Sequence, residues 1–444
     1  MSILIYVLMT VALVILLFDY RSGIVTVLMV MTNFGEIIYV NPNLEIGDFG
    51  GVGTIYFMDI FWLAVIIVIF LKKDKLALMN YKFSVLLFGI LILISLIIPF
   101  IINSYSIKDI ISVIRPLGNF LLLPYFVVTI IDITEFNFFE KVITVMVFTF
   151  LFVQIYEYIM QKRIPVRVFE SNSMFYGEDP FSVEFGGIKT GYIWSRITYL
   201  LPFNLFFGCY YFFKEKRNYG LLLIAMYVLS VMITLSRIWI IGFAFFMIVI
   251  TLFILFGSEK KYNVRVKLFA MIGTIAFAGF ILLYTSSTFN QIFDIFLLRI
   301  NSINDLADKT DSSFIGREYI LLQMLSVWWE YPVFGAGFSS ISRSLVTNDL
   351  GIPNLITIFG VSGLILLGSF IKQYYNNIKI FIKYDYILFV SLISVVMMVT
   401  FMSIFSIDMF YFNATGAIIF AMGNILLNIG KQESTENAEY SDAA

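Results

Sequence analysis

Long hydrophobic runs alternate with short polar connections along almost the whole chain. Most runs contain about 17 to 22 residues, and a helix of about 20 residues crosses the roughly 30 Å hydrocarbon core of a bilayer. Because a helix satisfies its own backbone hydrogen bonds, this pattern predicts an all-α polytopic membrane protein with about 12–14 transmembrane helices. The predicted spans are 3–18, 23–40, 54–71, 83–102, 111–131, 142–160, 191–213, 219–235, 238–257, 268–284, 351–371, 386–406 and 409–429.

Longer polar intervals divide this pattern into parts. Residues 1–284 are predicted to hold the first ten transmembrane helices, with an extracytoplasmic loop at about 161–190. Residues 285–350 form a long extracytoplasmic loop with an amphipathic helix, and 351–430 hold the last three spans. The tail at 431–444 has few apolar residues and is predicted to be disordered in the cytoplasm.

The orientation follows from lysines in the connections at 72–82, 214–217, 258–267 and 372–385. The positive-inside rule places these connections in the cytoplasm, and they alternate consistently along the chain. The intervals 161–190 and 285–350 therefore lie outside, and an odd number of spans places the amino terminus outside as well.

Composition limits the chemistry. The chain is 60% hydrophobic and 13% charged, with a mean hydropathy of +0.93, which excludes a soluble globular protein. It contains no histidine, and its one cysteine, Cys209, lies in an apolar run. These features exclude Ser-His-Asp and Cys-His sites and most zinc, copper and haem sites. We expect chemistry by carboxylates, arginines, lysines, hydroxyls and aromatic side chains.

The two basic residue types lie on different sides of the predicted membrane. Fourteen of the 18 lysines fall on the inner side, whereas eight of the 11 arginines fall outside or just inside the outer end of a span. A guanidinium group binds phosphate through two hydrogen bonds and stays charged at any pH. The outer arginines are Arg115, Arg163, Arg167, Arg196, Arg237, Arg299, Arg317 and Arg343.

Three of these arginines lie within or at the end of a predicted span, namely Arg115, Arg196 and Arg237. Their depth of about 6 to 8 Å below the outer helix ends corresponds to lipid headgroups. One interpretation is an electropositive pocket for a lipid-linked phosphate or pyrophosphate. The alternative is that each arginine reaches to the interface or pairs with a carboxylate such as Glu36, Asp59 or Glu157.

Two segments carry a family resemblance. The first segment starts at Gly316 and reads GREYILLQMLSVWWEYPVFGAGF. It resembles the late extracytoplasmic loop of the O-antigen ligase and polymerase superfamily. The similarity lies in an arginine that opens a tryptophan-rich amphipathic helix, followed by a Pro-hydrophobic-hydrophobic-Gly-x-Gly turn. LSRIWIIGF, from Leu235, resembles the family's Ser-Arg-x-x-Trp segment, and Gly360 and Gly363 resemble the glycine pair of the next span.

The resemblance implies a GT-C-type glycosyltransferase bundle that joins glycans carried on undecaprenyl pyrophosphate, outside the cytoplasm, with no metal and no cofactor. It places the family's two essential arginines at Arg237 and Arg317. Arg115, Arg196 and Arg343 are further candidates for holding the diphosphate. The expected setting is the bacterial inner membrane, with the site facing the periplasm or cell exterior.

The ligases of this superfamily resemble one another in a loop histidine, whose position here is Asp349. Since the chain has no histidine, the resemblance favours an O-antigen or capsular polysaccharide repeat-unit polymerase of the Wzy type. Asp349 is the first candidate for the base that receives the acceptor proton, and Glu157 is the second. For both carboxylates the alternative is pairing with arginine.

Trp328 and Trp329 are candidates for stacking on sugar rings, and their alternative role is to hold an interfacial helix at headgroup depth. Gly335 and Gly337 are predicted to permit a tight turn with positive φ. The expected partners are lipid-linked oligosaccharides as donor and acceptor, the bilayer and a chain-length regulator, without nucleic acid. A flippase for lipid-linked oligosaccharide is the alternative of a different class, although no internal repeat is visible.

Overall fold

The computed structural model describes most of the chain in separate stretches. They comprise residues 2–19, 22–23, 25–26, 28, 45–48, 50, 54–71, 82–117, 136–160, 183–185, 188–190, 200–214, 217–234, 237–256, 265–269, 271–273, 294, 312–346 and 350–405.

Helices dominate these residues, as the hydrophobic pattern predicts. They are α1 Ser2–Phe18, α2 Phe57–Leu71, α3 Lys82–Ile101, α4 Ile107–Ile114, α5 Phe136–Met160, α6 Leu201–Phe213, α7 Arg217–Thr234, α8 Arg237–Phe256, α9 Ser312–Glu330, α10 Ser340–Leu345, α11 Gly351–Phe359, α12 Val361–Ile378, α13 Phe381–Tyr384 and α14 Tyr386–Phe405. Two antiparallel hairpins accompany them. They pair β1 Glu45–Asp48 with β2 Thr54–Tyr56, and β3 Val183–Phe185 with β4 Ile188–Thr190.

Within the described residues, three helical stretches are long and apolar enough to cross a membrane: Phe138–Tyr156, Ile238–Phe256 and Tyr386–Ile404. Shorter apolar stretches lie in α2, α3, α6 and α7. The chain is an all-α polytopic membrane protein with two small hairpins. The predicted spans at 23–40 and 409–429 lie largely or wholly outside the described residues, as does most of 268–284.

Several element boundaries differ from the hydropathy pattern. The predicted span at 351–371 is two helices, α11 and α12, which are interrupted at Gly360. The predicted span at 54–71 begins with strand β2 before α2 starts at Phe57. Hydropathy averages over many residues, so it registers neither a single break nor a short strand inside an apolar run.

Contacts divide the chain into two compact units. The first comprises residues 1–141, 316–386 and 402–444, and the second comprises 142–315 and 387–401. The first unit therefore brings together α2, α3 and α4 with most of α9 and with α10 to α13. It contains the segment that sequence reasoning singled out around Arg317.

In the first unit, α3 packs beside α12 through polar side chains. The buried Ser84 hydroxyl donates to Oε1 of Gln373 at 3.0 Å, and the Ser369 hydroxyl donates to Ser84 Oγ at 2.9 Å. Such bonds hold transmembrane helices together where no water competes for the donor. They fix the start of α3 against the second half of α12.

The second unit is held by close packing of α6 on α7. A Cβ atom at Gly220 would lie 2.4 Å from the Phe212 backbone nitrogen, so the two helices approach closely where this side chain is absent. Elsewhere in the unit, the Ser230 hydroxyl donates to Gln154 Oε1 at 2.7 Å, and the Tyr227 hydroxyl donates to the Trp239 carbonyl at 3.2 Å.

Candidate functional site

Helix α9 presents two different faces. Arg317, Leu321, Met324 and Trp328 follow one another at helical spacing and are all partly or fully buried. Met324 packs in a core cluster with Val327, Ala336, Leu345 and Leu350. Arg317 therefore lies on the side of α9 that faces the protein. The core cluster fixes the second half of α9.

The turn from Pro332 to Gly337 follows α9 directly. Gly335 and Gly337 have φ values of +67° and +62°, which confirms the prediction of positive φ at both glycines. A Cβ atom at Gly335 would lie 2.6 Å from the Ile358 carbonyl oxygen, and one at Gly337 would lie 2.6 Å from the Ser95 carbonyl oxygen. Both glycines are needed for conformation and for close backbone contact.

The turn replaces the hydrogen bonds that α11 and α12 lose at their break. The Ala336 N–H donates to the Thr357 carbonyl at 2.9 Å, and the Gly337 N–H donates to the Ile358 carbonyl at 3.0 Å. In return, the Val361 N–H donates to the Pro332 carbonyl at 2.9 Å. Since unpaired backbone groups are costly inside a membrane, this exchange makes the break at Gly360 tolerable.

The glycine turn is not a phosphate cradle. The N–H groups of residues 335 to 338 all donate to carbonyl oxygens, namely those of Tyr331, Thr357, Ile358 and Ser95. A cradle would need N–H groups that are free to point at an anion. An anion that bound in this region would therefore have to contact side chains and not these N–H groups.

Helix α10, which follows the turn, places Arg343 at the surface. The Ser340 hydroxyl donates to Oδ2 of Asp109 in α4 at 2.6 Å, and the Ser339 side chain accepts the Ser342 N–H at 3.2 Å as an N-cap. Arg343 lies in the last turn of α10 and is exposed. The bond from Ser340 to Asp109 thus fixes the short helix that carries Arg343.

Arg115 is held by contacts within the first unit. Its Nε donates to Oδ1 of Asp59 at 2.8 Å, while Nη2 donates to Oδ2 of Asp59 and to the Thr54 carbonyl, both at 3.0 Å. The guanidinium carbon also lies 4.5 Å from the centre of the Tyr56 ring. These contacts favour the alternative of a carboxylate pair for Arg115, and its role in holding diphosphate stays a prediction.

We expect Arg115→Met and Asp59→Asn to lower the melting temperature by similar amounts. Because the two side chains are 23% and 30% exposed, the pair is partly screened by solvent, and a coupling of about 1 kcal/mol is expected. A double-mutant cycle of thermal unfolding in nanodiscs measures this coupling. If Arg115→Met removes glycan synthesis at normal membrane abundance while Asp59→Asn does not, Arg115 binds substrate instead.

The aromatic candidates occupy unlike environments. Trp329 is 85% exposed, whereas Trp328 is half-buried and its indole Nε1 has no hydrogen-bond partner among the described residues. The Tyr331 hydroxyl donates to Oε1 of Glu330 at 2.8 Å, and this bond raises the pKa of Tyr331. Trp328 shares the protein-facing side of α9 with Arg317, and Trp329 does not.

The other predicted site residues are described only in part. Arg237 is the first residue of α8 in the second unit, and Glu157 lies near the end of α5, but their side chains lie outside the description. Arg196 and Asp349 lie outside the described residues altogether. In the part of the chain that is described, no cluster of three or more Cys, Asp or Glu residues is arranged to hold a metal ion.

The family model described as O-antigen ligase matches residues 221–357. The match confirms the predicted resemblance to the O-antigen ligase and polymerase superfamily. The matched segment includes α8, α9, the glycine turn and α10, and therefore Arg237, Arg317 and Arg343. No curated protein matches the chain in sequence.

Sequence reasoning missed two residues that shape this region, Asp109 and Ser340. They are 231 positions apart, and neither belongs to a motif, so no local signal connects them. The hydropathy pattern predicted only a span at 111–131 here, whereas Ile107–Ile114 form the separate amphipathic helix α4. That pattern gives no indication of which hydroxyl Asp109 would meet.

Proposed function

We propose that the protein is an inner-membrane polysaccharide polymerase. It transfers a growing glycan from undecaprenyl pyrophosphate to the non-reducing-end hydroxyl of another lipid-linked repeat unit, on the extracytoplasmic side. The observation that carries this proposal is the position of Arg317, which lies inside the segment matched by the family model and on the protein-facing side of α9. A guanidinium group held on this side of α9 suits a diphosphate at headgroup level.

In the proposed reaction, the acceptor hydroxyl oxygen attacks the anomeric carbon of the donor glycan. A new glycosidic bond forms as the bond from that carbon to the pyrophosphate oxygen breaks. The leaving undecaprenyl pyrophosphate takes the electron pair, and the hydroxyl proton passes to a carboxylate, for which Asp349 is the first candidate and Glu157 the second. Arg317 and Arg237 stabilise the charge that develops on the leaving oxygen.

The polymerase is favoured over an O-antigen ligase by one feature of the sequence. The chain contains no histidine, whereas the ligases are expected to carry one in the long loop. The ligase remains the second candidate because the matching family model is described by that activity. Both reactions would use the same lipid-linked donor and the same leaving group.

The test is the glycan ladder of a strain that lacks the gene. We expect the deletion to reduce the ladder to a single repeat, because polymerisation alone is lost. Complementation with the wild-type chain restores the ladder, whereas Arg237→Ala at equal membrane abundance does not. Lys383→Ala, an exposed basic change in α13, serves as the matched control and restores it.

Other outcomes contradict the proposal in different ways. Polymer that accumulates on its lipid carrier without transfer to a surface acceptor would identify a ligase. Failure of the single-repeat glycan to reach the outer face would identify a flippase.

A further inference from the structure

An exposed apolar stripe runs along α9 on the side opposite Arg317. Tyr319, Leu322 and Trp329 are 63%, 59% and 85% exposed, and Val333 in the following turn is 56% exposed. Tyr319, Leu322, Ser326 and Trp329 share one side of α9, roughly opposite Arg317, and Val333 follows in the turn. A soluble surface rarely keeps such a row of large apolar side chains uncovered.

The depth of the turn indicates what covers this stripe. The Phe338 N–H donates to the Ser95 carbonyl at 2.9 Å, and Gly337 packs on Ser95 and Ile98. Ser95 precedes the end of α3 at Ile101 by six residues, or about 9 Å along the helix. The chain that follows α9 therefore lies beside the last third of α3, before the end of that helix.

Helix α3 has an uncovered apolar side of its own, which runs along the helix and reaches this depth. Leu86, Ile90, Leu93, Ile97 and Ile101 are all exposed and recur at helical spacing. In an apolar helix of a membrane protein, such a side faces lipid. The turn and the end of α9 thus lie beside a helix with a lipid-facing side.

The stripe is also continuous with α12. The Val361 N–H donates to the Pro332 carbonyl at 2.9 Å, and the Ser362 N–H donates to the Val333 carbonyl at 3.1 Å. Val361, Leu364 and Ile365 then form an exposed apolar side at the start of α12. The two exposed surfaces meet around Val333, where the Ser362 hydroxyl also donates to the Val333 carbonyl at 2.6 Å.

We propose that the stripe Tyr319, Leu322, Trp329 and Val333 contacts lipid of the outer leaflet, so that α9 lies in the membrane interface. In this position of α9, Arg317 lies on the opposite side of the helix at headgroup level. A catalytic role for Arg317 at this level rests on the proposed function, whereas the lipid contact does not. Aromatic side chains with a polar edge, such as Tyr319 and Trp329, are favoured in this layer.

The test uses nitroxide labels at single cysteines in protein reconstituted into phospholipid nanodiscs. Cys209 is fully buried, so the wild-type chain measures background labelling. Labels are introduced through Tyr319→Cys, Leu322→Cys and Trp329→Cys. Ile365→Cys on α12 gives the lipid reference, and Lys383→Cys in α13 gives the aqueous reference.

Relaxation by oxygen, which concentrates in lipid, is compared with relaxation by a water-soluble nickel chelate. We expect the stripe labels to resemble Ile365→Cys, at a depth of about 5 to 10 Å below the headgroups. High nickel accessibility at two or more stripe positions, as at Lys383→Cys, would overturn the proposal by showing that the stripe faces water. Low accessibility to both reagents would overturn it by showing that a protein partner or a second copy covers the stripe.

This measurement separates the two proposals because it requires no substrate and no activity. A lipid-facing stripe together with an unchanged glycan ladder in the deletion strain would contradict the proposed polymerase activity. The same result would support the proposal that α9 lies in the membrane interface.

Discussion

Replacement of Arg317 by alanine is expected to abolish the glycan ladder while the protein stays folded and inserted. Loss of one preorganised group that stabilises developing charge lowers a rate by roughly 10²- to 10³-fold, or about 2.7–4 kcal/mol. A change of that size would leave single repeats unextended on gels. The measurement is the ladder in the deletion strain, combined with initial rates of polymerisation on purified lipid-linked repeats.

Two further variants define the chemistry at this position. Arg317→Lys keeps the charge but cannot bind phosphate through the planar two-bond geometry, so only partial recovery is expected. Gln323→Ala, a polar change on the same helix away from Arg317, is the matched control and should support a normal ladder. A normal ladder from Arg317→Ala at equal abundance would exclude Arg317 from the active site.

The second large effect is expected for Gly360→Ala, which should disrupt the break between α11 and α12. Gly360 has φ 61° and ψ −150°, a conformation that is essentially restricted to glycine. An added Cβ would lie 2.5 Å from the Val333 carbonyl carbon and 2.6 Å from the Pro332 carbonyl oxygen. Strain and overlap together should cost about 3 kcal/mol or more.

Thermal unfolding in nanodiscs measures this cost as a fall in melting temperature and in membrane abundance. Gly368→Ala, in the same α12, is the matched control because nothing lies within 4 Å of its added Cβ. In a helix that change should be neutral or stabilising by up to about 1 kcal/mol. Equal melting of Gly360→Ala and the wild-type chain would show that the turn does not lock the break.

The two experiments separate binding from positioning. Arg317→Ala should lose activity without losing stability, since a partly buried guanidinium is removed from a helix that the core cluster around Met324 still fixes. Gly360→Ala should lose both, because the turn that follows α9 loses the backbone carbonyl and N–H partners that hold it.

The sequence by itself determined the class of protein and the conformations of a few special residues. Apolar runs of membrane-crossing length require helices in a bilayer, whatever their partners. Gly335 and Gly337 stand in a turn pattern that requires positive φ, which is a local property of the chain. The arrangement of arginine, tryptophan and glycine around Arg317 was likewise sufficient to indicate the superfamily.

The tertiary structure alone decided which polar groups meet. Arg115 pairs with Asp59 across 56 positions, and Ser340 with Asp109 across 231 positions, and no local pattern encodes either distance. The break at Gly360 is stable because the turn at 332–337 donates and accepts its backbone hydrogen bonds, so neither segment predicts the break without the other. The side of α9 that carries Arg317 faces protein because Met324 and Val327 meet Ala336 and Leu345, and burial of these apolar side chains is a property of the packed chain.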